Sequence, residues 1–137
     1  MWPEPVERIA ALLRAAHVEG RIEELALGVD SPEGTFFAAG FEADGSTVVA
    51  IVPGAREVDR GKLAAASDSP GLRPAPAPAF PFESARVLVD QTALAGRIVW
   101  LEAGSGRHIV GLAPQLLIGL TQAETADLLL DQQSGGG

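Results

Sequence analysis

The residues whose types could carry chemistry lie together near the end of the chain, in the run Gly104-Ser105-Gly106-Arg107-His108. Backbone N–H groups of a glycine-rich turn can hold an oxyanion or a phosphate, and an imidazole can act as a general base near neutral pH. The run does not stand between a strand and a helix, as a dinucleotide-binding fingerprint requires. A plain hairpin turn followed by an ordinary strand histidine is therefore the alternative interpretation.

The composition removes several other kinds of site. The chain has no cysteine, which excludes a disulfide framework, a thiolate zinc site and a cysteine nucleophile. His17 and His108 are the only imidazoles, so the sequence indicates no metal site, and nothing in it calls for a cofactor. Glu23 and Glu24 are adjacent in a predicted strand and point to opposite faces, so they cannot share one proton.

The charge balance bears on the partners that the chain can have. Its 18 acidic and 10 basic residues give a net charge of −8, which argues against a broad nucleic-acid or anionic-membrane surface but allows a small contact with the end of an RNA. The N-terminus lacks the basic start and apolar core of a signal peptide, and the apolar stretches are too short to span a bilayer. We therefore expect a soluble cytoplasmic protein without a membrane partner.

The elements that must position the glycine-rich run begin with a helix. Apolar residues recur at helical spacing over residues 5–16, and an untidy strand over 22–27 follows. Two β-prone runs, 35–42 and 47–52, flank an Asp44-Gly45 pair, which predicts a hairpin because glycine supplies the positive φ of the turn. A short helix over 59–67 has Asp59 as its N-cap.

The second half begins with a proline-rich segment over 67–81, which predicts an extended surface connector because proline cannot join a helix or a strand ladder. Strands are predicted over 85–89, 97–102 and 107–112, and a helix opens at Pro114. Thr121 and Glu124 form a capping box that predicts a last short helix. This order indicates one α+β domain over residues 1–131, followed by a disordered tail over 132–137.

Three stretches of the chain resemble those of a known family. The first is VERIAALLRAA over residues 6–16, the second contains FEADG, VVAIVPG and KLAA within 41–65, and the third contains VLVD, VW, AG, GRH and LAP within 87–121. In this order they are similar to the YbaK/EbsC family, the aminoacyl-tRNA deacylases related to the editing domain inserted in prolyl-tRNA synthetases. The resemblance implies a curved, barrel-like mixed or antiparallel sheet with flanking helices. It also implies a pocket that accepts the aminoacyl group on the 3′ end of a misacylated tRNA and hydrolyses its ester.

The chain departs from the family at two places in this pocket. The position of the family's essential lysine falls on Phe37, and the chain's only lysine, Lys62, matches a different and non-catalytic one. The family's Gly-x-x-Pro loop corresponds to residues 78–81, where Pro78 replaces the glycine and removes an N–H donor. The resemblance and the glycine-rich run together give as candidate pocket residues Phe37, Pro78, Pro81, Gly104, Gly106 and His108.

Three functions stay open at this point, and with them the question whether the chain is an enzyme. The first is a trans-editing deacylase weakened by the two departures. The second is a non-catalytic protein that binds an amino acid, or an aminoacyl or nucleotide end, in the same pocket. The third is a homo-oligomerising interaction module such as a homodimer, because residues 28–34 are too few for a helix that the family has here and a second copy could cover the exposed sheet.

Overall fold

A mixed sheet of eight strands and three α-helices make up the part of the chain that the structure, a computed structural model, describes: residues 2–26, 32, 34–105 and 107–131. The helices are α1 (Glu4–Ala15), α2 (Arg60–Ser67) and α3 (Pro114–Thr121), and a 3-10 helix spans Gln91–Ala95. The strands are β1 (Arg21–Glu24), β2 (Phe36–Ala43), β3 (Ser46–Pro53), β4 (Arg73–Pro74), β5 (Ala85–Asp90), β6 (Val99–Glu102), β7 (His108–Leu112) and β8 (Glu124–Ala126).

The strand order across the sheet is β1-β7-β6-β2-β3-β5-β8, and β4 adds to β2 outside this path. The pairs β2–β6, β3–β5 and β5–β8 are parallel, and the remaining pairs are antiparallel. This confirms the α+β class with a mixed sheet and flanking helices in a single domain. No helix in the described ranges is long and apolar enough to cross a membrane.

The hairpin of β2 and β3 forms the centre of the fold. Its turn consists of Asp44 (φ 50°) and Gly45 (φ 79°), and two consecutive positive φ angles match the twist of the flanking strands. Because side chains alternate along β3, Val49 and Ile51 pack against α1 and α3, whereas Val48 and Val52 pack in a second cluster with Leu63 of α2. The predicted hairpin and the predicted helix capped by Asp59, whose carboxylate accepts from the Lys62 amide, are both confirmed.

The prediction of a last short helix after Thr121 is wrong. The hydroxyl of Thr121 donates instead to the carbonyl of Leu117 inside α3, and Gln122 ends that helix in the left-handed region (φ 54°). Glu124 then begins β8, which pairs with β5 from Leu88 onwards. Pairing with a buried strand, which is not visible in the local sequence, overrides the capping signal. The strand predicted over 22–27 ends at Glu24, and residue 27 lies outside the described residues.

The single lysine ties the end of the described chain to α2. The Lys62 ammonium donates to Asp131 at 2.8 Å, to Asp127 at 2.9 Å and to the carbonyl of Leu129 at 2.7 Å. Hydrogen bonds to Asp131 and Asp127 raise the pKa of Lys62 to about 12, and the bond from Lys62 lowers the pKa of Asp127 below its usual range. The lysine that the resemblance marks as non-catalytic therefore has a structural role in this chain.

This lysine predicts a loss of stability in strong alkali. The pKa of Lys62 in the folded chain lies above its ordinary value of 10.5. The contribution of Lys62 to folding stability is therefore complete below pH 10.5 and is lost as the pH rises through about 12. The pKa of Asp127 is lowered instead, so the contribution of Asp127 to folding stability is present above its ordinary pKa of 3.8 and is lost in acid. The chain has no tyrosine, no cysteine and no other lysine, so arginine is the only other side chain that titrates in alkali.

Thermal unfolding of the wild type and Lys62→Gln measures this contribution. We expect the melting temperature of the variant to be lower at neutral pH and the difference between the two proteins to vanish above about pH 12. A difference that stays constant across the alkaline range would contradict the assignment.

Candidate functional site

The edge of β2 that faces away from β3 has a gap between two partners. At one end β6 pairs with β2 through Phe36 and Leu101, and at the other end β4 pairs with Phe41 and Glu42. Between these contacts the proline-rich segment crosses the strand, and α1 closes over the same region. A cavity of about 350 Å³ lies in this gap, at the lower end of the volumes that small-molecule sites have.

Four parts of the chain line the cavity, and most of its walls are apolar. The two charged side chains among the lining residues come from α1 and from the end of β6. The lining residues are Pro5, Arg8, Ile9, Phe37, Ala38, Ala77, Pro78, Ala79, Phe80, Phe82, Glu102, Ala103 and Gly104. Within the described residues there is no cluster of three or more His, Asp or Glu that could hold a metal ion.

The proline-rich segment can cross β2 because a glycine stands beneath it. A Cβ on Gly40 would lie 2.4 Å from the carbonyl oxygen of Ala75 and 2.6 Å from the amide nitrogen of Ala77. The amide of Ala75 donates to the carbonyl of Gly40 at 3.0 Å, and beyond the crossing Phe80 and Phe82 anchor the segment in the core, their ring centroids 5.5 Å apart. The predicted surface connector is thus one wall of the cavity.

The cavity brings together Phe37, Pro78 and Gly104, three of the residues that the sequence places in the pocket. Pro81 lies outside its lining, in a separate surface depression next to Glu83, and Gly106 lies outside the described residues. His108 is also absent from the lining, although it is only four residues from Gly104.

His108 is buried and holds the turn that precedes it. Its Nδ1 lies 2.8 Å from the hydroxyl oxygen of Ser105, and its Nε2 lies 3.2 Å from a carboxylate oxygen of Glu24. The Ser105 oxygen already accepts from the amides of Arg107 and His108, each at 3.0 Å. Its proton therefore goes to Nδ1, and Nε2 donates to Glu24.

These three side chains are the types found in a nucleophilic triad, but their hydrogen bonds serve the structure. An attacking hydroxyl needs a free lone pair, and both acceptor positions of Ser105 are taken by backbone amides. The network instead connects β1, through Glu24, to the start of β7. This geometry favours the structural interpretation of His108 over its use as a general base.

Arg8 is the cation at the cavity, and the sequence analysis did not single it out. It lies on the first half of α1, where its side chain remains 55% exposed and pairs with Glu4 one turn earlier. Helical spacing could have shown that Ile9 faces the core and that Arg8 stands beside it. No local signal showed that the proline-rich segment, about 70 residues away, would face the same turn of helix.

Glu102 is the second charged group and was also missed. It is the last residue of β6, where Val99 and Leu101 point into the core and Glu102 is partly buried on the other side. One of its carboxylate oxygens accepts from the amide of Gly104 at 2.8 Å. Gly104 has a φ of 93°, a left-handed conformation in which a side chain would be strained.

Comparison with known proteins gives the fold. No family model matches the sequence, and no curated protein is similar to it. The crystal structure of a candidate trans-editing enzyme for prolyl-tRNA synthetase is similar with a TM-score of 0.81 and 19% identity, over 96% of this chain and 100% of that one. The crystal structure of a hypothetical protein is similar with a TM-score of 0.74 and 18% identity, over 93% of this chain and 100% of that one. A scaffold protein for computational grafting of linear epitopes is similar with a TM-score of 0.80 and 16% identity, over 96% of this chain and 100% of that one. The chain therefore has the fold of the candidate editing enzyme.

Proposed function

We propose that the cavity binds the aminoacyl group on the 3′ end of a misacylated tRNA and that the chain hydrolyses this ester slowly, as a trans-acting editing deacylase. The observation that carries the proposal is the meeting of Phe37, Pro78 and Gly104 around one mostly apolar cavity. These positions, distant in the sequence, are three of the six pocket candidates named from the sequence, and two of them, Phe37 and Pro78, stand where the family resemblance places its lysine and its loop glycine. The shared fold with a candidate trans-editing enzyme supports the same function.

The chemistry explains why the hydrolysis is slow. Water adds to the ester carbonyl, and the ribose hydroxyl leaves with a proton while the free amino acid is released. The oxyanion formed on the way needs a cation or N–H donors in fixed positions. Phe37 provides no cation and Pro78 no N–H, and the loss of such a contact costs about 10²–10³-fold in rate. Arg8 is the cation that remains, and its exposed guanidinium suits a phosphate of the terminal nucleotide.

Deacylation of a panel of mischarged tRNAs tests this function. We expect release of the amino acid above the rate in buffer, and about a tenfold decrease in kcat/KM for Arg8→Ala, the usual size for a lost charged hydrogen bond. Arg14→Ala is the matched control, because it removes the same charge from the same helix but outside the cavity. Equal effects of the two substitutions would contradict the assignment of Arg8, and no release above buffer would exclude hydrolysis.

A second candidate, binding without hydrolysis, is favoured by the same two departures. Phe37 and Pro78 make the site more apolar while removing the groups that act on the carbonyl. Calorimetry with 3′-alanylamino-3′-deoxyadenosine, an amide that cannot be hydrolysed as an ester, measures binding alone. Binding of this analogue without any deacylation supports the second candidate, and the absence of both heat and thermal stabilisation argues against it.

Self-association is a separate proposal. The sheet ends at β1 and β8, and a strand at the end of a sheet offers unpaired N–H and C=O groups to a second copy. The mass in solution at micromolar concentration decides it, since a strictly monomeric mass would exclude the homodimer.

A cytoplasmic location likewise stays a prediction, and it agrees with a tRNA substrate.

A further inference from the structure

We propose that two copies of the chain pair antiparallel through the outer edge of β1, centred on Ile22, so that their two sheets join into one. This inference rests on the self-association proposed above, and it does not depend on the deacylase function. It assigns the interface to one of the two ends of the sheet and fixes the register of the pairing.

The backbone groups that β1 turns outward follow from its pairing with β7. The two strands are antiparallel, and the amide of Leu25 continues their ladder by donating to the carbonyl of Arg107 at 2.6 Å. In an antiparallel strand the N–H and C=O of one residue point to the same side, and the side alternates along the chain. The groups of Leu25 and Glu23 therefore face β7. Those of Ile22 and Glu24 point outward, where no other strand in the described part of the chain pairs with β1.

The charges on β1 favour one register of self-pairing. Residues that lie opposite each other in an antiparallel pair must turn their backbone groups in the same sense, so the two-fold axis passes through a residue. An axis at Ile22 places Arg21 opposite Glu23 of the second copy, and the symmetry makes this contact occur twice. An axis at any other residue of β1 places two like charges opposite each other, which destabilises a strand pair.

The side chains of Arg21 and Glu23 are available for this contact. They lie on the same face of β1, with Nη2 of Arg21 3.3 Å from Oε1 of Glu23, and they are 70% and 46% exposed. An exposed pair of this kind contributes little to the single chain, and in the joined sheet each arginine takes the glutamate of the second copy instead. The other end of the sheet has no such complement, because Glu124 is the only charged residue of β8 and pairs with Arg86.

An apolar contact completes the interface. In the register centred on Ile22, Leu25 lies beside Gly20 of the second copy. A surface depression of about 530 Å³ is lined there by Gly20, Arg21 and Ile98, among others, and Ile98 is 46% exposed in the single chain. Because side chains alternate along a strand, Leu25 points to the same face as Arg21. Leu25 of each copy therefore covers the depression of the other.

Sedimentation equilibrium with charge-reversal variants tests the proposal. We expect the wild type at micromolar concentration to have a mass near twice that of one chain. Arg21→Glu and Glu23→Arg each place like charges opposite each other at both contacts, so each should raise the dissociation constant of the dimer about tenfold or more. The double variant, which carries both substitutions, restores opposite charges and should associate as the wild type does. Glu124→Arg reverses a charge at the other end of the sheet and should leave the mass unchanged.

A mixture of the two single variants separates pairing between copies from an effect on folding. Arg21→Glu presents two glutamates and Glu23→Arg two arginines, so the mixture should form a heterodimer although each variant associates poorly alone. Wild-type association of either single variant, or a mixture that stays monomeric, would overturn the pairing through β1. A strictly monomeric wild type would overturn both this interface and self-association, whereas the deacylase function is decided separately by the mischarged tRNA panel.

Discussion

Replacing Gly40 by alanine is expected to lower the free energy of unfolding by about 2–3 kcal/mol, the upper part of the range for overpacking, and to abolish ligand binding in the cavity. The added Cβ would lie 2.4 Å from the Ala75 oxygen and 2.6 Å from the Ala77 nitrogen. Both are backbone atoms of a segment fixed by β4 on one side and by Phe80 in the core on the other. The segment cannot turn a side chain away and must lift from β2, which removes one wall of the cavity.

Urea unfolding and calorimetry with the alanyl analogue measure the two effects. Gly119→Ala is the matched control, because a Cβ at this position of α3 meets no atom within 4 Å. We expect that control to gain up to about 1 kcal/mol from helix propensity and to bind normally. A Gly40→Ala protein with the stability and affinity of the wild type would show that the segment does not rest on β2.

Asp90→Ala is expected to cost about 3–5 kcal/mol, because it removes a buried charged acceptor and leaves its donors without partners. Asp90 is fully buried at the end of β5. Its carboxylate accepts from the amide of Thr92 at 3.0 Å, from the Thr92 hydroxyl at 2.6 Å and from the amide of Leu128 at 2.8 Å. These bonds join β5 to the 3-10 helix and to the segment that follows β8.

Chemical denaturation of a graded set of variants tests this estimate of the network's strength. Thr92→Val removes only the hydroxyl and should cost about 1 kcal/mol. Asp90→Asn keeps the shape and one oxygen acceptor, so its loss should fall between those of Thr92→Val and Asp90→Ala. If Asp90→Ala is no less stable than Thr92→Val, the carboxylate does not hold the C-terminal segment in place.

Elements whose signals are local could be predicted from the sequence. The Asp44-Gly45 turn contains in two residues the conformation that its hairpin needs, and the side chain of Asp59 caps the helix that begins at the next residue. The strand at Glu124 could not be predicted in this way, because it forms by pairing with β5, more than 30 residues earlier. There the local capping signal pointed to a helix, and the long-range partner decided the outcome.

The same distinction between local signals and long-range contacts applies to the residues of the site. Phe37, Pro78 and Gly104, which line one cavity, were named as candidates from the order of motifs along the chain and from the glycine-rich run. Arg8 and Glu102 were not named, because they come together only at the gap along the edge of β2. That gap is a feature of the assembled sheet and has no local signal in the sequence. His108, also named as a candidate, lies close to Gly104 in sequence, but the start of β7 buries its ring beside Glu24 and outside the lining of the cavity.

Binding of the aminoacyl end in the cavity beside β2 is tested most directly by an NMR titration of the backbone amides with 3′-alanylamino-3′-deoxyadenosine. We predict that the largest shift changes occur at Ala38, Ala79 and Gly104, which line the cavity from three different elements. The structure offers another depression, of about 530 Å³, next to Val18 and Gly111. Shift changes centred there, or no changes at saturating ligand, would contradict the account.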